Sequence, residues 1–276
     1  MLTNNPGIRI QVEEEVRNAC VMYGGISLAI YMNGIAQELL SLVRSTANNG
    51  ESFLVDDQDL KGNERIYREM ACRDGALKRE FVVDVLSGTS AGGLNAMFLG
   101  KALAKGLPNL NELQNLWITE GDITKLLYDK RSVDGTFREG TMEVIPSLLN
   151  SRRMYQKLLA AMQGMSRQDQ QKPAWVNSLD VFMTATDLRG NLIDIYLTDR
   201  KVREPRYRSV FHFTKDDFES SNDPFLAFVG RCTSSIVPAF EPMRLNDIAY
   251  SNQSPSTSTW EKYYAAYWRD FEVKGE

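Results

Sequence analysis

The sequence predicts an α/β fold built on a mixed, mainly parallel sheet with helices on both faces. Two observations carry this. Strand-like and helix-like runs alternate at the front of the chain, the order that feeds parallel strands through helical crossovers. One strand-to-helix junction also carries a serine at the apex of a Gly-x-Ser-x-Gly pattern, Leu86-Ser87-Gly88-Thr89-Ser90-Ala91-Gly92-Gly93.

The first predicted strand is 18–23, a short apolar run ending at Gly24-Gly25. From Ser27, read as an N-cap, the apolar positions Leu28, Tyr31, Met32, Ile35, Leu39, Leu42 and Val43 fall at helical spacing. The Asn-, Gly-, Asp- and Ser-rich stretch 46–63 is predicted as a surface excursion and 64–72 as a short helix. The second strand is placed at 80–86 and the helix after it at 91–105. Residues 110–117 and 153–162 read as helices joined by irregular sequence containing Asp134-Gly135. A polar loop at 166–172 precedes three strand-like runs, 181–185, 192–197 and 207–213. Asp187-Leu188-Arg189-Gly190 has the composition of a tight turn, and a hairpin is expected there. Residues 224–232 read as a helix and 251–259 as a Ser/Thr/Pro loop.

The chain has 276 residues, enough for a sizeable core, and a formal net charge of −4. With no basic excess, nucleic acid is a poor partner. Cys20, Cys72 and Cys232 are scattered without metal-type spacing, which fits reduced thiols in a cytoplasmic protein. Neither a metal nor an organic cofactor is implied. The polar, acidic start lacks the pattern of a signal peptide. The apolar stretch 19–32 is interrupted by Gly24-Gly25 and is too short to span a bilayer. A soluble protein able to touch a membrane surface is expected.

The chemistry centres on Ser90. In a strand–turn–helix elbow the serine hydroxyl is thrust out at a helix N-terminus. The positions two before and two after must then be small because strand and helix converge, and Gly88 and Gly92 meet that demand. The Gly24-Gly25-Ile26 turn lies at a second strand–helix junction. In an open parallel sheet both junctions fall at the carboxyl edge of the strands, where sites form. Glycines there let backbone N–H groups converge on a developing oxyanion, with the helix dipole adding positive charge. A serine needs a base. The chain has one histidine, His212, within the alternating strand segment Val210-Phe211-His212-Phe213, whereas a triad histidine normally sits on a loop. That favours a carboxylate acting directly on the serine.

On these residues the chain resembles the patatin-like phospholipases, lipid acyl hydrolases with a Ser-Asp dyad, and within them a bacterial patatin-related branch. The resemblance implies a three-layer α/β/α sandwich. It also implies a phospholipid or other acyl-ester substrate, Ser90 as nucleophile, an oxyanion hole at Gly24, Gly25 and Ile26, and a cytoplasmic protein peripheral to the membrane. It extends over about 17–242 through Phe182-Met183-Thr184-Ala185-Thr186-Asp187-Leu188 and the Arg231–Phe240 stretch, which in the family precedes the dyad aspartate. Tyr23, Ser27 and Leu28 depart from the family's glycine-and-cation loop. The aspartate's Asp-Gly setting is absent after Phe240: Asp247 and Asp270 lack a following glycine, while Asp74-Gly75 and Asp134-Gly135 come too early. The expectation is a single domain over 1–276 that stops before the catalytic motif. Alternatives are a catalytically incomplete lipid- or protein-binding domain, or an esterase with a Ser90/His212 triad. Asp187, after a strand, is a further base candidate, although its Asp-x-x-Gly setting reads first as a turn.

Three other features have plain readings. Glu13-Glu14-Glu15 is a solvated acidic run. Met154, Leu158, Leu159 and Met162 form a helical stripe that packs a core rather than facing lipid. Trp260, Tyr263, Tyr264, Tyr267 and Trp268 form an aromatic cluster suited to packing against further chain, or to an interface.

Overall fold

The computed structural model describes residues 9–127, 147–168 and 173–244. Asp134-Gly135, Asp247, Asp270, the 251–259 loop and the aromatic cluster from Trp260 lie outside them. The fold is α/β, with a mixed sheet in the order β1-β3-β4-β5 and a short β2 on β3. β1 (Arg9–Met22) runs parallel to β3 (Ala76–Thr89), β3 runs parallel to β4 (Asp180–Tyr196), and β4 is antiparallel to β5 (Lys201–Thr214). β2 (Cys72–Arg73) pairs antiparallel with the start of β3.

β1 is longer than its apolar half predicts. Its polar half is held by cross-strand ion pairs, Lys78 with Glu13 at 2.6 Å and Arg79 with Glu14 at 2.8 Å. The Lys78 ammonium holds the Glu13 carboxyl below the usual carboxylate range. The acidic run is thus exposed, as expected, but strand-paired. Glu80, half-buried on β3 opposite Glu15, is pushed up by burial and then by the Glu15 charge, against the pull of Arg17. A raised folded-state pKa gives stability that is present below the unfolded value and lost as pH rises through the folded one. Glu80→Gln is therefore expected to raise the urea midpoint at neutral pH and to change it much less near pH ~3, where the carboxyl is protonated both folded and unfolded. A larger gain at the acid end would contradict this.

α1 (Ala29–Thr46) buries Ala29, Met32, Ala36, Leu40 and Val43, spaced three or four residues apart and facing inward. It is entered through a single 3-10 turn, Ile26–Leu28. Ser27 makes no capping hydrogen bond, and Leu28 takes the N-cap position of α1. With this turn the helix covers 26–46, long and apolar enough to cross a membrane by length and composition, although core helices of soluble proteins pass the same test. α2 (Glu64–Ala71) packs on α1, and α3 (Ala91–Ala104) is buried along its whole length. α4 (Asn111–Glu120) and α5 (Ile123–Leu126) follow, and α4 packs on α6 (Ser151–Gln168). α6 in turn packs on α7 (Asp223–Ser234). The methionine–leucine stripe of α6 is core: Leu158 and Met162 are 0% exposed.

Other predicted boundaries change: β3 and β5 are longer than the runs 80–86 and 207–213. The runs 181–185 and 192–197 are one strand, and Asp187–Gly190 is not a hairpin but a bulge within it. Thr186 pairs Arg208 and Asn191 pairs Arg206, so four residues face Tyr207 alone. The chain reverses instead at 197–200, closed by Leu197 N–H to Arg200 C=O at 2.8 Å. The helix predicted to end at 162 continues to Gln168. Its last turns bring Ser166 to the buried Lys101–Asp223 ion pair, where the hydroxyl donates to Asp223 at 2.7 Å. Burial raises the Asp223 carboxyl.

Candidate active site

β3 ends at Thr89 and α3 begins at Ala91, so one residue makes the reversal. Ser90 has φ 56° and ψ −129°, a region that residues with a Cβ seldom occupy and pay for in strain. A sharp junction presses strand and helix together. A Cβ on Gly88 would lie 2.5 Å from the Gly92 carbonyl oxygen, and one on Gly92 would lie 2.2 Å from the Met22 carbonyl oxygen. Both elbow glycines are therefore demanded by backbone contacts. The second contact joins the elbow to the end of β1.

That contact seats the first loop beside the serine. A Cβ on Gly24 would stand 2.9 Å from Ser90 Cβ and 3.5 Å from Ser90 Oγ. Gly25 has φ 139°, open to glycine and strained for other residues. Among the described residues the amides of Gly24 and Gly25 meet no acceptor. The sequence-predicted oxyanion loop and nucleophile are thus neighbours. Ile26 starts the 3-10 turn and is exposed, its carbonyl accepting from Ala29 N–H. Ala91, not singled out in the sequence, supplies the first amide of α3. Early helical amides lack intrahelical acceptors.

Other candidates are held elsewhere. His212 pairs across the sheet with Phe182, on a level with Ser87. Its Nε2 is 2.6 Å from Asp180 Oδ1, and its ring stacks on Phe182 at 4.5 Å. Ordinary strand spacing puts it more than about 10 Å from Ser90. Asp187 accepts from the Arg189 amide at 2.9 Å and the Gly190 amide at 3.3 Å, the turn role its setting suggested. Among the described residues, none hydrogen-bonds the Ser90 hydroxyl, and no group of three or more His, Cys, Asp or Glu could hold a metal. The cysteines are unbridged, and burial pushes the Cys20 and Cys72 thiols up, away from reactivity.

The chain is similar to a stretch of one much longer protein. This relative, an uncharacterized membrane protein, Rv3479, of Mycobacterium tuberculosis, is 30% identical over 241 residues, which cover 83% of this chain and 21% of that protein. The chain thus spans about a fifth of the relative's length. No protein-family model and no solved structure matches the chain.

A contact with no sequence signal of its own also lies here. The Ser90 amide donates to Thr233 Oγ1 at 2.8 Å, and that hydroxyl donates to the Thr184 carbonyl at 2.7 Å. Thr233 lies in the Arg231–Phe240 stretch, which the sequence flagged only as a helix and turn. Near it, burial pushes the Arg231 guanidinium down to about 10, so it stays charged at neutral pH over the Phe240 ring.

Proposed function

We propose that this chain is a serine lipid acyl hydrolase of the patatin-like kind, a three-layer α/β/α sandwich acting on phospholipid or another acyl ester. The observation that carries the reading is the strained Ser90 with the Gly24 backbone packed against it. Ser90 Oγ attacks the ester carbonyl carbon and its proton passes to a carboxylate. The oxyanion takes N–H groups from Gly24, Gly25 and Ile26, joined by Ala91 and the α3 dipole. Collapse expels the alcohol, which takes the proton. The same carboxylate then deprotonates water, which attacks the acyl-serine, releases the fatty acid and restores Ser90.

The rim supports a lipid substrate. Tyr23 is 80% and Ile26 70% exposed beside the serine, and the sequence carries no charged side chain from Asn18 to Gln37. A cytoplasmic protein peripheral to a membrane fits this rim, and the relative's printed name, a membrane protein, points the same way. The missing contact from the Ser90 hydroxyl to any described carboxylate favours a second reading, a patatin-like domain that binds lipid or a protein partner without turnover.

The test is fatty-acid release from phosphatidylcholine vesicles and short-chain nitrophenyl esters by the wild type and by His212→Ala. A dyad enzyme keeps its turnover within about twofold in the variant, while a His212 triad loses roughly three orders of magnitude. No release from either chain, with vesicle binding retained, would overturn hydrolysis in favour of binding.

A further inference from the structure

An elbow serine with φ 56° and ψ −129° must be held there by its surroundings. The Ser90 carbonyl is held by the Leu94 amide at 3.0 Å, and its amide is held by a side chain. Thr233, 7% exposed near the end of α7, accepts from the Ser90 amide at 2.8 Å and donates to the Thr184 carbonyl at 2.7 Å. A hydroxyl has one hydrogen to give, so the bond to Thr184 fixes its lone pairs toward Ser90. Thr184 pairs with Thr89, the last residue of β3. The same hydroxyl therefore ties the elbow, β4 and α7 together. Room for it comes from the second glycine of Gly92-Gly93: a Cβ on Gly93 would lie 3.2 Å from both Thr233 Oγ1 and Cγ2. The Ser90 amide, spent on this bond, is unavailable to an oxyanion, which leaves that task to the glycine loop and Ala91.

We infer that Thr233 is a positioning residue that clamps Ser90 in its strained conformation and so presents the hydroxyl for attack. The inference rests on the reading of Ser90 as nucleophile for its chemical consequence, but not for the clamp itself. The bond to the Ser90 amide is a property of the fold. The hydroxyl's effect on Ser90 Oγ passes through the backbone, since Thr233 touches the amide and not the reacting oxygen.

The test uses Thr233→Val, which keeps the shape and loses the acceptor, and Thr233→Ser, which keeps the acceptor. Thr233→Ala stands in should the valine chain not fold. Two quantities are read. One is hydrogen exchange at the Ser90 amide. The other is the rate at which Ser90 Oγ displaces fluoride from a fluorophosphonate, forming the O–P bond. Valine is expected to speed exchange and slow labelling by roughly tenfold or more, with serine within about threefold of wild type in both. Unchanged exchange and labelling in the valine variant would overturn the clamp while leaving the nucleophile reading intact. Wild-type Ser90 that never labels, with exchange still lost in valine alone, would support the clamp and overturn the nucleophile reading.

Discussion

Gly92→Ala is expected to destabilise the fold by about 3 kcal/mol or more and to disorder the site with it. The new Cβ would lie 2.2 Å from the Met22 carbonyl oxygen and 2.7 Å from that of Tyr23. Both are backbone atoms, so no rotamer change relieves the overlap. Met22 is also the last residue of β1 in register with β3, opposite Gly88. Moving it away unzips the end of the parallel pair and withdraws Gly24 from Ser90. Urea unfolding followed by far-UV circular dichroism measures the cost. A loss below about 1 kcal/mol would mean that the glycine loop is not seated on the first turn of α3.

Ser90→Ala and Ser90→Gly are each expected to reduce ester turnover by roughly three orders of magnitude or more, because the attacking atom is gone. Their stabilities should differ. Alanine keeps a Cβ at φ 56° and so keeps the backbone strain, whereas glycine releases about 1–3 kcal/mol of it against a flexibility cost of about 1 kcal/mol. The glycine variant is therefore expected to melt at or above the wild type and above the alanine variant, the mark of strain held at a working position. Calorimetry of the three chains checks this. A glycine variant that melts well below alanine would place no strain at Ser90.

The elbow is readable in the sequence because its pattern is local. Gly88 must be small because of Gly92 and Gly93, a few residues on, whereas Gly92 also answers to Met22 and Tyr23 at the end of β1, a contact the local pattern flags without naming. The Gly24-Gly25 turn is readable as a loop, while its seat against Ser90 depends on the parallel pairing of β1 and β3. The full length of β1 is hidden because an edge strand needs no continuous apolar run. Lys78 and Arg79, far along the chain, hold its acidic half. Asp187-Leu188-Arg189-Gly190 misleads because the same turn chemistry serves a bulge as well as a hairpin, and only the register with Arg206 and Arg208 separates them. Thr233 is 143 residues from Ser90, and a lone threonine near a helix end carries no mark of the bond it makes.

Intact-mass labelling with a fluorophosphonate, run on the wild type and on Ser90→Ala, asks whether the Ser90 hydroxyl is an activated nucleophile. One adduct per wild-type chain, mapped to Ser90, is expected, and none on the folded alanine variant. A folded wild type that takes no adduct, or an adduct that persists in Ser90→Ala, would contradict it.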